Sequence, residues 1–171
     1  MKQSLILKIL ILGSDSVENY KNIADHYFST DYKITVGVNV LSKTISIDIN
    51  GKLMDITLSM WDISSKTKFD EIRKLFYKGG AGALFLFDLS KPSTWYHVIE
   101  CYKEIEIALK KIPFMIISNL PNTKEISINE RDIQNWVKTK GGHYSQIDKS
   151  KMSQLETTFK NLVTEILYSN N

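Results

Sequence analysis

Three short stretches of the sequence carry the residues that could do chemistry. The first, GSDSVENY at 13–20, follows the apolar run LILKILIL and precedes a helical pattern, the strand-loop-helix frame in which backbone N–H groups cradle a phosphate. The frame lacks the matching side chains. No lysine or small hydroxyl residue closes it, and Asp15 and Glu18 bring carboxylates to a place suited to an anion. At about 4 Å and a near-surface effective dielectric, each such charge pair costs a few kcal/mol. The same carboxylates have a structural use, because an acidic side chain at a helix N-terminus accepts from free N–H groups and complements the helix dipole. On that reading Glu18 or Asp15 takes the part of the phosphate. The second stretch, MWDISSK, sets Asp62, Ser65 and Lys66 at the end of a strand, and the third, SNLPN, sets Asn119 and Asn122 at the end of another. Beyond these the constellations are thin. His26, His97 and His143 are far apart, with no cysteine or carboxylate at metal spacing, so no metal site is expected.

The elements that must position these residues follow from periodicity. Residues 5–12 read as a central strand covered on both faces, and residues 17–28 as a helix, after which TDYKITVGV reads as a loop. KTISIDI and LMDITLSMW alternate around Asn50-Gly51, the strongest short hairpin signal. A helix ending at Gly79-Gly80, the buried strand AGALFLFDL, a long helix, the strand PFMIISN after Pro113, a helix closed by Gly141, the short strand HYSQI and a final helix complete the chain. Strands alternating with helices predict a three-layer α/β fold whose ligands sit at the carboxyl ends of the strands.

Composition sets the bounds. The 171 residues fit one domain, here residues 1–168 with a short tail at 169–171, and 43% hydrophobic with 24% charged residues is globular composition. The net charge of +3 rests on scattered lysines, Arg73 and Arg131 being the only arginines, which argues against a nucleic-acid surface. Cys101 is the only cysteine and reads as a buried thiol on a helix, consistent with a cytoplasmic setting. The N-terminal apolar run is too short to span a bilayer, and no prenylatable cysteine stands at the C-terminus, so no direct membrane anchor is expected.

In order along the chain, these motifs resemble those of the Ras superfamily of small GTPases, most closely the Rab-like branch. MWDISSKTKFDEIRKLFYKGGAGALFLFDLSKPSTW is similar to the family's run from the WDxxGQE motif through the second switch helix; TVGV resembles the first switch, and SNLPN the guanine-reading NKxD motif. The resemblance implies a mostly parallel six-stranded sheet with one antiparallel edge strand. It also implies where GTP or GDP with magnesium would sit. In the phosphate loop, GxxxxGK[ST] in the family, Gly13 matches, while Glu18, Asn19 and Tyr20 stand at the glycine, lysine and hydroxyl positions. Tyr20 either packs on the sheet or lies in the empty cleft. Thr35 and Asp62 match residues of the magnesium shell; Ser65 replaces a glycine that contacts the γ-phosphate, and Lys66 replaces the glutamine that orients water. Lysine offers no acceptor for that task. Asn119 matches the base-reading asparagine, but Leu120 and Asn122 replace its lysine and aspartate, and of the last motif only Lys149 matches.

Phosphate, metal, water and base contacts are thus all altered in one sequence. The reading that follows is a GTPase-like domain with no cofactor and no catalytic residue, binding a protein partner, including an active relative, through the first switch, the hairpin and the second switch. Ile34, Val36, Val38, Trp61, Phe69, Leu75 and Tyr77 are the expected contact residues, and the outer strand near 43–49 could pair with another chain. The alternatives are a slow GTPase using Gly13, Thr35, Asp62 and Asn119, and a binder of another anion with Lys66 and Lys21 as cations.

Overall fold

A computed structural model describes residues 5–13, 29–35, 37–64, 66, 68, 70–119, 127–147 and 152–169. Its strands are β1 (Leu5–Leu12), β2 (Ser29–Thr35), β3 (Val38–Ile49), β4 (Lys52–Ile63), β5 (Gly82–Asp88), β6 (Phe114–Asn119) and β7 (His143–Ile147); its described helices are α1 (Asp70–Tyr77), α2 (Pro92–Leu109), α3 (Glu130–Lys140) and α4 (Met152–Ser169). The expected helix at 17–28 lies outside the described residues.

The strands form one sheet in the order β2-β3-β4-β1-β5-β6-β7. Neighbours are parallel from β4 through β7, and antiparallel where β3 meets β4 and β2, so β3 alone runs against the rest. This is the expected mostly parallel α/β sheet with one strand too many. The seventh is β2, drawn from the segment read as a loop, and it takes the edge position beside Val38–Ser42, leaving residues 43–49 of β3 with no strand on their outer side among the described residues. The hairpin turn is as expected: Asn50 and Gly51 both have positive φ, 54° and 79°, matching the twist of the flanking strands.

Two apolar layers flank the sheet. On one face Leu7, Ile9, Ile11, Ile56, Leu58 and Met60 meet the α4 stripe of Leu155, Phe159, Leu162, Val163 and Ile166. On the other, Leu10, Leu12, Phe85, Phe87, Phe114 and Ile116 meet Tyr77 of α1, Val98, Cys101 and Ile105 of α2, and Ile133 and Val137 of α3. Burial of both faces is why β1, β5 and β6 read as continuous apolar runs and not as alternating ones. At Gly141 (φ 75°), α3 ends in a left-handed cap whose N–H returns to the carbonyls of Val137 and Lys138.

Candidate functional site

The carboxyl ends of β1, β4, β5, β6 and β7 lie along one edge of the sheet, because their parallel registers match Ile11 with Asp62, Leu12 with Phe85, Asp88 with Asn119, and Asn119 with Ile147. Gly13, Asp62 and Asn119 are therefore gathered at one end, as the sequence leads one to expect. Glu18, Asn19, Tyr20, Lys21, Ser65, Asn122 and Lys149 lie outside the described residues, and Thr35 and Asn119 are placed by their backbone in β2 and β6.

Gly13 is held by the fold itself. Its φ is +84°, and a Cβ added there would stand 2.2 Å from the carbonyl oxygen of Leu86 on β5. No side chain fits such an approach, so packing alone requires glycine here, with or without a phosphate nearby. Lys66 is exposed, and its backbone N–H donates to Ser64 Oγ at 3.4 Å.

The two switch-like segments are joined through the sheet. Val38 pairs with Ile63 and Asn39 with Asp62, and Ser64 N–H donates to the Gly37 carbonyl at 2.9 Å. Beside them Trp61 is half-buried, its ring 6.1 Å from that of Phe76, with Lys8 Nζ 3.7 Å above the indole. Lys8 also donates to the carbonyl of Lys78 just past the end of α1, and partial burial lowers its pKa from the usual lysine value. Leu75 is 74% exposed and Ile72 41% exposed, so α1 presents apolar side chains to solvent. Two expected contact residues are corrected. Val38 is 3% exposed and Tyr77 fully buried, because both point into the layer between the sheet and α1–α2. Val36 and Phe69 lie outside the described residues, and Ile34 is placed by its backbone in β2.

Three polar arrangements escaped the sequence reading. Asp88, buried at the end of β5, accepts from both the N–H and the hydroxyl of Ser90 (2.9 and 2.7 Å), and its backbone N–H donates to Thr94 Oγ1 at 3.0 Å. It shapes the turn into α2. Ser118, next to Asn119, shares a hydrogen bond of 2.7 Å with the Tyr144 hydroxyl, whose pKa burial pushes up, so that β7 steadies the end of β6. Between α1 and α2, Arg73 is 5% exposed and forks onto Glu104, Nη2 to Oε1 at 2.8 Å and Nε to Oε2 at 3.2 Å. The scarcity of arginine in this lysine-rich chain was the available signal for Arg73; nothing nearby in sequence marks Glu104 as its partner.

A family model described as the Ras family matches residues 8–168. The chain belongs to the Ras family. Several of its curated relatives carry Rab names. It is 24% identical over 170 residues to Ras-related protein RABA4d of Arabidopsis thaliana, with 96% of this chain and 75% of the relative covered. It is 25% identical over 169 residues to Ras-related protein YPTC6 of Chlamydomonas reinhardtii, covering 95% and 76%. Against Ras-related protein Rab11D of Nicotiana tabacum the identity is 22% over 170 residues, covering 96% and 75%. A Ras-family domain thus accounts for the sheet, for the hairpin between the switches, and for the gathering of Gly13, Asp62 and Asn119 at one end.

Proposed function

We propose that this Ras-family domain is a protein-interaction module with little or no GTP binding or hydrolysis, engaging a protein partner through its switch and interswitch face. The observation that carries the reading is the makeup of the phosphate loop, where Glu18, Asn19 and Tyr20 replace the glycine, the lysine and the hydroxyl residue. Two further points support it. Gly13, the one loop position that matches, is required by its contact with Leu86 and so says nothing for a phosphate. Lys66 at the water-orienting position has donors only. The interaction surface centres on Trp61 and Phe76 together with exposed Leu75 and Ile72.

A second reading, a slow GTPase with a non-standard loop, is favoured by Asp62 and Asn119 standing at the carboxyl ends of β4 and β6. One experiment separates the two. Purified protein is denatured with acid and the released small molecules are chromatographed. The interaction-module reading expects no guanine nucleotide and no rise in melting temperature with GTP or GDP plus magnesium; stoichiometric nucleotide, or a shift of many degrees, would defeat it.

A further inference from the structure

The buried charges between α1 and α2 match none of the ligand-binding positions above. Arg73 projects from the middle of α1 and Glu104 from α2, and their fork is closed by a third group: the Tyr77 hydroxyl donates to Glu104 Oε2 at 2.7 Å while accepting from Arg73 Nε at 3.1 Å. Asp70, one turn before Arg73, holds Nη1 at 2.9 Å. Burial disfavours both charges, yet their mutual hydrogen bonds outweigh it, leaving Arg73 raised and Glu104 lowered from their usual values. Beside them the Cys101 thiol is pushed up to about 12 by burial and bonds His97 at 3.4 Å, so it stays a neutral spacer.

We propose that Arg73, Glu104 and Tyr77 form a positioning clasp that fixes α1 in one register on α2 and so holds the partner-binding face ready without a ligand. The proposal rests on the reading of that face as an interaction surface. Its physical basis is exclusion of alternatives. A planar fork meets a carboxylate in one geometry, so sliding or turning α1 by an ångström or two leaves a buried guanidinium, a half-buried carboxylate and a buried phenol partly unpaired. Helix shifts of that size are one established form of switching transition between packed elements. Exposed Leu75 and half-buried Phe76 lie on the same short helix as the clasp, so its register fixes theirs. The Tyr77 ring, fully buried, anchors the helix at its far end.

Amide hydrogen exchange on the full chain tests this. Wild type is compared with Tyr77→Phe, which removes one hydroxyl, and with Glu104→Gln and Arg73→Lys, which break the fork and keep the shapes similar. Peptides over 70–77 are read against peptides over 82–88 in β5. The clasp expects exchange in 70–77 to rise about tenfold in Glu104→Gln and Arg73→Lys, and less in Tyr77→Phe, with β5 unchanged. Unaltered exchange in 70–77, or an equal rise in both segments, would overturn it, the second result marking a merely structural ion pair. Each protein is also measured with GTP and magnesium. Slower exchange in wild-type 70–77 on that addition would overturn the ligand-independent reading itself, whereas the variants without nucleotide judge the clasp alone.

Discussion

At the scale of single residues, Gly13 is a motif position that packing demands whatever its ligand chemistry. The fold forbids any side chain there, both by its positive φ and by the carbonyl of Leu86 at 2.2 Å from an added Cβ. Gly13→Ala is therefore expected to lower stability by about 2–4 kcal/mol in urea unfolding without nucleotide. Gly51→Ala has similar backbone strain but open space around it, and should cost about 1 kcal/mol. Equal effects would show that the Leu86 contact is unimportant. The residue scale is also where sequence reading went astray. Tyr77 and Val38 share with Trp61 and Leu75 a place in the switch and interswitch segments and a hydrophobic side chain, and that character alone does not say which way a side chain points. Facing is fixed by packing against α2, a contact that no local pattern encodes.

Among the elements, those with strong local signals were legible. The Asn50-Gly51 turn sets the β3–β4 register, and the α4 stripe is a clean helical repeat. β2 was not legible: STDYKIT makes a strand by pairing with β3, and its register is irregular between Ser29 and Lys33, so little in the sequence itself demands the pairing. The α1–α2 clasp joins residues 31 apart and was equally hidden. It has a testable electrostatic signature. Glu104 has a folded pKa below its ordinary value of 4.5, because hydrogen bonds from Arg73 and Tyr77 overcome the effect of burial. A lowered carboxylate pKa contributes stability that is present above the unfolded value and is lost as pH falls through the folded one. Unfolding midpoints in urea should therefore drop on the acid side of 4.5, with a shallower drop in Glu104→Gln. Glu156, lowered by its hydrogen bond to Lys160, is a surface control whose removal should matter less, and less again in high salt. Identical acid profiles for wild type and Glu104→Gln would show that the clasp is not linked to folding.

For the whole molecule, the sheet gathers Gly13, Asp62 and Asn119 at one end, while on the proposed reading the residue types around them do not suit the family's ligand. On that proposal architecture and chemistry have separated: the alternation of strands and helices gives the fold, while activity must be judged residue by residue. The separation predicts how binding could be rebuilt. Asn19→Lys with Tyr20→Ser restores a cation and a hydroxyl, yet Glu18 still adds a Cβ and a negative charge in the loop, and Asn122 still offers guanine an amide where a carboxylate would accept both N–H groups. Glu18 alone, beside a polyphosphate at about 4 Å, costs a few kcal/mol, a hundredfold or more in affinity. The double variant is accordingly expected to bind GTP no better than millimolar by calorimetry. Adding Glu18→Gly and Asn122→Asp removes both obstacles, and the four changes together should bring measurable, magnesium-dependent GTP binding. Micromolar binding by the double variant would mean that Glu18 and Asn122 are not the barriers; failure of the quadruple variant, with its fold intact by circular dichroism, would move the barrier into the cleft itself, with the Tyr20 position already cleared.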